Sequence, residues 1–558
     1  MISKPRPAAK SGSKTAKRQQ KKPAPGAVKV SGRGKLGAAL QDRLIPPPGG
    51  AVVRMYRIGH GDCFLLAFPG KGKEPVYVMI DCGYKPGSPQ FMDVPTTMAG
   101  ISANIKAATG GRIDVFVVTH EHQDHLNGIT EKHFDGLDIS EAWFAWTEDP
   151  SDELANTLRQ RFKDQLVGLV AARNSLGAGQ RETVKTIDEL LSMEFGGETD
   201  RRISEFGGAR MAEAGTAHDL SANKKSMKII KERAAKHRGI KYLRPHEPVR
   251  DVPGAESARV MVLGPPRNEQ QLGDLDPSDA EEFHNKAFLA AAAASAGDDS
   301  QFVSPFEGRY AVDVTNSLAA GPDFEFFERH YQQQPGSLNA EADSQRTNKD
   351  IPPVPPLRDT ANENASWRRI EKDWLMSAEQ FALDMNTKTN NASLVLAFEL
   401  SKGGKVLLFT ADAQRGNWVS WADGTCKDGK DEIETRDLME RTVLLKAGHH
   451  GSHNATLNGE RKSKTPNLEW VALGSDTARE FTVMITAVRK WAVRPQVGWD
   501  HPYPPIKLAL SKKASQRVLQ TDTGLDKIDP PSSDKTDWSA FKTRVEGTDL
   551  YFDYTIKP

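Results

Sequence analysis

The chain has little cysteine and no long apolar run. Its 558 residues include three cysteines, too few for the disulfide framework of a small secreted scaffold. No apolar run approaches the ~20 residues that a membrane-spanning helix needs, and no secretory apolar segment stands near the N-terminus. A P-loop, a dinucleotide-binding fingerprint and a serine nucleophile elbow are missing as well. These absences exclude a membrane protein and a disulfide-rich secreted domain, and we expect a cytoplasmic protein that engages no membrane.

Acidic residues are absent before Asp42, although this segment holds eleven lysines and arginines. The whole chain has a formal charge of +1, so the remainder is acidic. A segment rich in Pro, Ser, Gly and Ala buries too little apolar surface to fold, and residues 1–50 are therefore predicted to be a disordered basic tail. Such a tail can grip nucleic acid through its phosphates or act only as a solubilising leader, and both readings stay open.

Short apolar strands bounded by turn residues occupy two parts of the chain. They predict the first half of a fold at 51–149 and the second half at 386–558, with one core strand between them at 258–266. Two polar, mainly helical stretches, 150–257 and 267–385, separate these parts and are too long for simple loops. The second stretch contains an alanine-rich helix and a proline-rich linker. We therefore predict an α/β protein with two large insertions that shape access to a site.

A dense cluster of potential metal ligands follows the apolar strand that ends near Val118. Where a strand ends the chain turns, so His120 and His122 can converge on one metal ion while Asp124 and His125 reach a second. Imidazoles and carboxylates suit zinc, manganese or iron, and the absence of a nearby thiol argues against a structural zinc site. Four potential ligands within six residues argue against a surface histidine cluster. The segment predicts two divalent ions, with zinc in first place and manganese as the alternative.

This ligand spacing resembles that of the metallo-β-lactamase superfamily, and the resemblance covers about residues 51–524. Asp81 resembles the early acidic residue that braces the family's site, and Asp412, after an apolar strand, resembles the carboxylate that bridges its two metals. In His-His-Gly-Ser at 449–452 the family's ligand stands directly before glycine, which favours His450 and leaves His449 as the alternative. The resemblance implies an αββα sandwich and metal-dependent hydrolysis.

Finer motifs resemble one branch of that superfamily, the domain found in bacterial competence DNA-uptake channels, here without the channel. Gly-His-Gly-Asp at 59–62 is similar to the branch's Gly-Gln-Gly-Asp turn, and Asp62 is expected to support the ligands as Asp81 does. Asn390-Asn391, His501-Pro502 and a Thr-Asp-x-Gly segment resemble its later motifs, the last being shorter by one residue.

The chain departs from the family at one ligand. Thr389-Asn390-Asn391 stands where the superfamily places a third histidine, and an amide is a poor metal ligand. The resemblance then implies a first metal held weakly by His120, His122 and Asp412.

The ligands imply hydrolysis by a metal-activated water. Asp124 is expected to orient the nucleophile, and His501 to protonate the leaving oxygen or to bind a phosphate oxygen, with a structural turn histidine as the alternative. Lys446, His453 and Asn391 are weaker candidates for substrate contact, and core or helix-face roles are the alternatives.

Two neighbouring ions suit a phosphodiester, and the family resemblance, with weaker support from the basic tail, implies DNA as the substrate. The first hypothesis is therefore a nuclease or phosphodiesterase that acts on DNA. A hydrolase of a small ester, lactone, lactam or cyclic nucleotide is the second, and a weakened metal-binding effector module is the third. An open, basic groove near residues 224–250 would favour the nuclease, and a pocket roofed by the insertions would favour a small substrate. The insertions are also candidate surfaces for a protein partner.

Overall fold

A computed structural model describes most of the chain after residue 42. The predicted basic tail up to that point, the alanine-rich helix from 284 onward and the proline-rich linker lie outside the described residues. The described ranges are 43–175, 181–196, 221–278, 280–283, 382–494, 497–531 and 535–558.

The strands of the described residues belong to two large sheets and two small ones. They are β1 (Ala51–Tyr56), β2 (Phe64–Phe68), β3 (Val76–Ile80), β4 (Arg112–Ile113), β5 (Val115–Val117), β6 (Asp138–Ile139), β7 (Glu141–Ala145), β8 (Gly239–Leu243), β9 (Arg250–Asp251), β10 (Arg259–Gly264), β11 (Val395–Glu399), β12 (Val406–Phe409), β13 (Thr425–Asp428), β14 (Asp431–Glu434), β15 (Thr442–Lys446), β16 (Thr482–Ile485), β17 (Val518–Gln520), β18 (Val545–Gly547) and β19 (Tyr551–Ile556).

The eight-stranded sheet has the order β18-β19-β1-β2-β3-β5-β7-β8, and the seven-stranded sheet has the order β17-β16-β15-β12-β11-β10-β9. Strands β3, β5, β7 and β8 run parallel to one another. Strands β12, β15, β16 and β17 do the same in the second sheet. Because neighbouring parallel strands end at the same edge of a sheet, the loops that follow them lie together.

Helices connect these strands. They are α1 (Met98–Thr109), α2 (Gln123–Leu126), α3 (Glu131–Phe134), α4 (Glu153–Ser175), α5 (Arg181–Phe195), α6 (Ala222–Ala234), α7 (Glu269–Leu272), α8 (Arg415–Ser420), α9 (Thr435–Glu440), α10 (Ser475–Glu480), α11 (Arg489–Ala492), α12 (Pro504–Lys513) and α13 (Lys535–Lys542), with 382–391 also helical. Among the described residues, no helix is both long and apolar enough to span a bilayer.

The central strands are buried on both faces, as near-continuous apolar runs require. In β12, Leu407 and Phe409 join a core cluster that takes side chains from both large sheets. Val406 and Leu408 point the other way, into a cluster with helices α8, α9 and α12. The first sheet likewise has a second cluster on its other face, with α1 and α6. The protein is therefore a mixed α/β structure whose two large sheets share a core.

The apolar strands predicted from the sequence are present, one of them is split, and further strands join them. The run predicted as one strand from Ile113 is interrupted at Asp114, whose carboxylate accepts a hydrogen bond from the Tyr77 amide (2.8 Å). Strand β8 lies inside the predicted insertion 150–257 and pairs with β7. Only Leu243 of its sequence, Gly-Ile-Lys-Tyr-Leu, is fully buried. The strand therefore lacks the continuous apolar run from which the other strands were predicted.

A buried ion pair joins β1 and β19, two neighbouring antiparallel strands of the first sheet, and its removal gives a stability test. Arg54 on β1 lies opposite Asp553 on β19 and donates two hydrogen bonds to it, 2.7 and 2.6 Å long. Arg54→Ala leaves the Asp553 carboxylate buried without its partner, and we expect a loss of about 3–5 kcal/mol in the free energy of unfolding.

Urea denaturation measures this loss, with Lys228→Ala as the control. Lys228 pairs with Glu232 on the exposed face of α6, where such pairs contribute less than about 1 kcal/mol. Equal effects of the two substitutions would contradict the role given to the buried pair.

Candidate metal centre

Most predicted ligands lie in loops at the ends of parallel strands. Asp81 follows β3 and the His120–His125 segment follows β5, in one sheet. Asp412 follows β12 and His450 follows β15, in the other. The two sheets thus bring together side chains that are hundreds of residues apart.

Four buried side chains form a group that can hold a metal ion. One ligand atom from each of Asp62, His125, Asp412 and His450 lies within 4.8 Å of the others. Asp412 Oδ2 is central, at 3.2 Å from His125 Nε2 and 3.4 Å from His450 Nε2. Neither Asp412 Oδ2 nor His125 Nε2 has a hydrogen-bond partner, although both are buried. Buried polar atoms without partners are uncommon, and a cation at this point would satisfy them.

Asp62 belongs to this group and Asp124 lies beside it, and their hydrogen bonds distinguish the two aspartates. Asp62 Oδ1 accepts a hydrogen bond from Thr486 Oγ1 (2.5 Å), and Asp62 Oδ2 forms an ion pair with Lys446 Nζ (2.7 Å). Both carboxylate oxygens of Asp62 therefore have partners. Asp124 Oδ2 lies 3.2 Å from His450 Nε2, and its Oδ1 has no hydrogen-bond partner. Asp124 is therefore better placed to bind an ion, and Asp62 to support Asp412 through Lys446.

The other two histidines of the motif lie beside this group. His120 Nε2 is 3.1 Å from His122 Nδ1, and the His120 ring is 4.1 Å from the His125 ring. Among the described residues no third metal-ligating side chain joins this pair closely enough to make a second complete group. The structure thus provides one full set of ligands and an adjacent pair.

Both histidines of the ligand group have one ring nitrogen bonded to the protein and the other facing the group. His125 Nδ1 is 2.7 Å from Asp81 Oδ2, and His450 Nδ1 is 3.0 Å from the carbonyl oxygen of Thr486. Metal-binding histidines have this arrangement, because the bonded N–H leaves the opposite nitrogen with its lone pair.

The adjacent pair follows the same pattern. His122 Nε2 lies 2.9 Å from Glu194 Oε1, and His120 Nδ1 lies 3.2 Å from Ser393 Oγ. Their remaining nitrogens, Nδ1 of His122 and Nε2 of His120, face each other. All four imidazoles are therefore oriented as ligands.

Burial and charge shift the protonation of these groups in opposite directions. Burial by itself lowers the pKa of His450, but Asp412 and Asp124 outweigh it and raise that pKa to about 9. Burial also opposes protonation of His125, yet three nearby carboxylates hold its pKa well above the usual range. For His120, burial and the neighbouring histidines hold the pKa well below that range. Because a metal ion binds neutral imidazole, an ion entering the group would displace the protons that these carboxylates favour on His125 and His450.

The backbone is strained around the candidate centre. Among the described residues eight non-glycine residues have positive φ, and four of them lie here: Asp81 (52°), Ala411 (46°), His449 (40°) and His450 (53°). Such conformations are costly and gather at functional sites.

Two glycines allow the ligand loop to pack closely. A Cβ at Gly83 would lie 2.4 Å from backbone atoms of His125, and one at Gly61, whose φ is +148°, would lie 2.5 Å from the Asp124 carbonyl oxygen. Any larger residue at these two positions would push the ligand loop away.

The two candidate last ligands, His449 and His450, differ in their contacts. The half-buried His449 ring contacts Asn390 Nδ2 (3.1 Å) and Ser452 Oγ (2.9 Å) and lies outside the ligand group. His450 is inside that group.

His501 lies beside the centre in a cluster of rings. It stacks on His60 with centroids 5.6 Å apart, and His60 lies 4.5 Å from the ring of His450. His501 Nδ1 and His60 Nε2 are buried without hydrogen-bond partners. Sequence reasoning did not select His60 as a site residue, although it occupies the Gly-x-Gly-Asp turn.

The weaker substrate candidates have other roles in the structure. Lys446 is buried, and its ammonium contacts the Ala411 carbonyl oxygen (2.7 Å), Asp62 and Asp412. It is thus a support for the ligands, and it is not available to a phosphate as the sequence had suggested.

Asn391 and His453 also differ from expectation. The buried Asn391 amide donates to the carbonyl oxygens of Gln271 and Leu272, both at 2.9 Å, and so fastens the α7 segment. The half-exposed His453 lies 3.4 Å from Asp276. Neither residue is among the described contacts of the ligand group.

Glu194 and Thr486 are the partners of ligands that the sequence did not indicate. Glu194 stands at the end of α5, and Thr486 directly follows β16. Neither belongs to a recognisable motif, because each acquires its role only through contact with a distant histidine. No local signal would have found them.

A cavity of about 690 Å³ borders His120 and is enclosed mainly by α4, α6, α7 and the 382–391 helix. The ligand side chains themselves are nearly inaccessible, with His120 the most exposed at 6%. The charged lining residues are Arg159, Arg161, Lys163, Lys224, Lys388, Glu121, Glu148 and Glu269.

The basic stretch at 224–250 does not present an open row of cations. Most of its charges form ion pairs with acidic residues of the same protein. These pairs are Lys224–Glu121, Lys231–Glu148, Arg233–Glu131, Arg238–Glu141 and Arg244–Asp149.

Comparison with protein-family models finds no match for this chain, and comparison with curated proteins finds none either.

Adjacent histidines provide a matched test of the ligand group. We expect His450→Ala to lose metal that the wild-type protein retains after dialysis, because it removes a nitrogen that faces Asp412 and Asp124. His449→Ala is expected to retain that metal, since its ring binds amide and hydroxyl groups. Elemental analysis of the dialysed proteins measures the bound metal. Loss from His449→Ala with retention by His450→Ala would reverse the assignment.

Proposed function

We propose that the protein is a metal-dependent hydrolase of the metallo-β-lactamase superfamily and that its two sheets form that family's αββα sandwich. The observation that carries the proposal is the orientation of the four buried imidazoles. Each has one nitrogen held by a protein group while the other faces a neighbouring ligand. A purely structural histidine cluster has no need of this common orientation.

We infer that the full ligand group and the adjacent histidine pair together hold two divalent ions, with zinc in first place and manganese as the alternative. His120, His122 and Asp412 would hold the first, and Asp124, His125, Asp412 and His450 the second. When bound, such a pair acidifies a water molecule and neutralises charge on the oxygens of a phosphodiester.

The remaining groups prepare the site for attack by water. Asp124 Oδ1, which has no hydrogen-bond partner, can accept a hydrogen bond from the attacking water and so orient it. His501 Nδ1 is also without a partner and can bind or protonate a departing oxygen. Lys446 holds Asp412 in place through their 3.2 Å contact.

A phosphodiester is the proposed substrate class, and DNA is the proposed substrate. Two facts support this choice. Five lysines and arginines against three glutamates line the cavity beside His120. Eleven further lysines and arginines stand before Asp42, where they can bind phosphates.

The enclosure of the ligands favours a second candidate, a hydrolase of a small ester or cyclic nucleotide. The ligands are buried, and the cavity has the volume of a small-molecule pocket. Most lysines and arginines of the 224–250 stretch form ion pairs within the protein.

Cleavage assays separate the two candidates. Purified protein is incubated with labelled single- and double-stranded DNA and RNA, with cyclic nucleotides and with a chromogenic ester, each with zinc or manganese. We expect wild type to cleave DNA and Asp124→Ala to fall to the background rate, because Asp124 binds the ion and orients the water.

His453→Ala is the matched control and should keep wild-type activity, since His453 lies outside the ligand group. Cleavage of only cyclic nucleotides or the ester would replace DNA by the second candidate. If wild type and Asp124→Ala are both inactive on every substrate with metal bound, the protein is a metal-binding effector module and not an enzyme.

A further inference from the structure

Glu194 brings a carboxylate from the first predicted insertion to the ligand motif. It lies at the end of α5, and its side chain is 4% exposed. Its Oε1 is 2.9 Å from Nε2 of His122, which is completely buried. A buried carboxylate carries a large desolvation cost unless it is paired, so this contact is the main reason that Glu194 can lie here.

The contact determines which nitrogen of His122 is available to an ion. Because an ionised carboxylate oxygen only accepts hydrogen bonds, we assign the hydrogen of this contact to His122 Nε2, and a neutral imidazole then has its lone pair on Nδ1. Nδ1 is the atom that faces His120 Nε2 at 3.1 Å. Glu194 and the space between the two histidines therefore lie on opposite sides of the His122 ring.

The end of α5 is tied to the ligand loop at further points. The Asn223 amide donates to the carbonyl oxygens of Met193 (2.7 Å) and Glu194 (3.0 Å), and also to that of Glu121 (2.6 Å) between the two histidines. Lys85 Nζ, which is buried, donates to Ser192 Oγ at 3.1 Å. The carboxylate is thus held in a fixed place relative to His122.

We propose that Glu194 is a positioning residue of the first metal site, which rests on the proposed function of a metal-dependent hydrolase. It holds His122 in the tautomer and orientation in which Nδ1 binds the ion. The orientation of His122 matters for metal affinity because this site has only two histidines, and Thr389-Asn390-Asn391 offers no third. The insertion thereby takes part in metal binding without contributing a ligand.

Metal titration of the full-length protein tests this role. Zinc is titrated into metal-free wild type and Glu194→Gln in competition with a chromophoric chelator, and cobalt spectra report ligand geometry. We expect Glu194→Gln to weaken one of two equivalents by about 10–100-fold, the usual effect of removing such a partner, and to leave the other unchanged. Glu194→Asp keeps the charge but withdraws the carboxylate, and should weaken the same equivalent.

Two controls isolate the contact. Glu189→Gln, on the same helix but outside the ligand contacts, should bind both equivalents as wild type does. In a His122→Ala background Glu194→Gln should have no further effect on metal affinity, because the group that it positions is gone. A merely structural Glu194 would lower thermal stability and leave metal affinity unchanged.

Three results would overturn the proposal. Both Glu194 variants could bind metal as tightly as wild type, both equivalents could weaken equally, or the wild type could bind fewer than two ions. Hydrolysis is not measured in this experiment. The two proposals can fail separately. If the wild type binds two ions and Glu194→Gln binds one of them more weakly, but the wild type cleaves no substrate, the role of Glu194 stands and the proposed function is wrong.

Discussion

Burial of charge is the constraint on which the rest of this structure depends. Asp62, Asp81, Asp124 and Asp412 are all at most 1% exposed, and a carboxylate without a partner in such a place costs several kcal/mol. Each is therefore surrounded by imidazole, ammonium, hydroxyl or backbone N–H groups. The hydrogen bonds and ion pairs that offset the cost of burying the carboxylates also fix the orientation of the imidazole rings.

The pairing requires both sheets at once. Thr486 and Asp62 are 424 residues apart in the chain and 2.5 Å apart in space, and Lys446 from the second sheet pairs with Asp62 of the first. Strained residues such as Asp81 and His450 turn the chain sharply after their strands. The packing of two apolar sheet faces against each other stabilises this strained, charged edge.

Much of this arrangement is predictable from the chain. The apolar strands were predicted because residues buried on both faces make short continuous apolar runs, as in Val76–Ile80. The ligand cluster after β5 was predicted because four ligand types within six residues need no tertiary knowledge. For Lys446 and Asn391 the sequence left both substrate contact and a core role open, because the local sequence does not show whether a polar side chain near a motif contacts the substrate or the protein itself. Glu194 was missed because its sequence neighbours share nothing with the motif that it serves.

By itself the sequence determined which segments form buried strands and which residue types follow them, since both depend on local pattern and spacing. Only the tertiary structure decided which nitrogen of each histidine faces inward, which of His449 and His450 enters the ligand group, and which carboxylate holds His122. Those choices depend on contacts between residues from tens to hundreds of positions apart. A hydrogen bond over such a separation exists only after the sheets and the α5 helix have packed together.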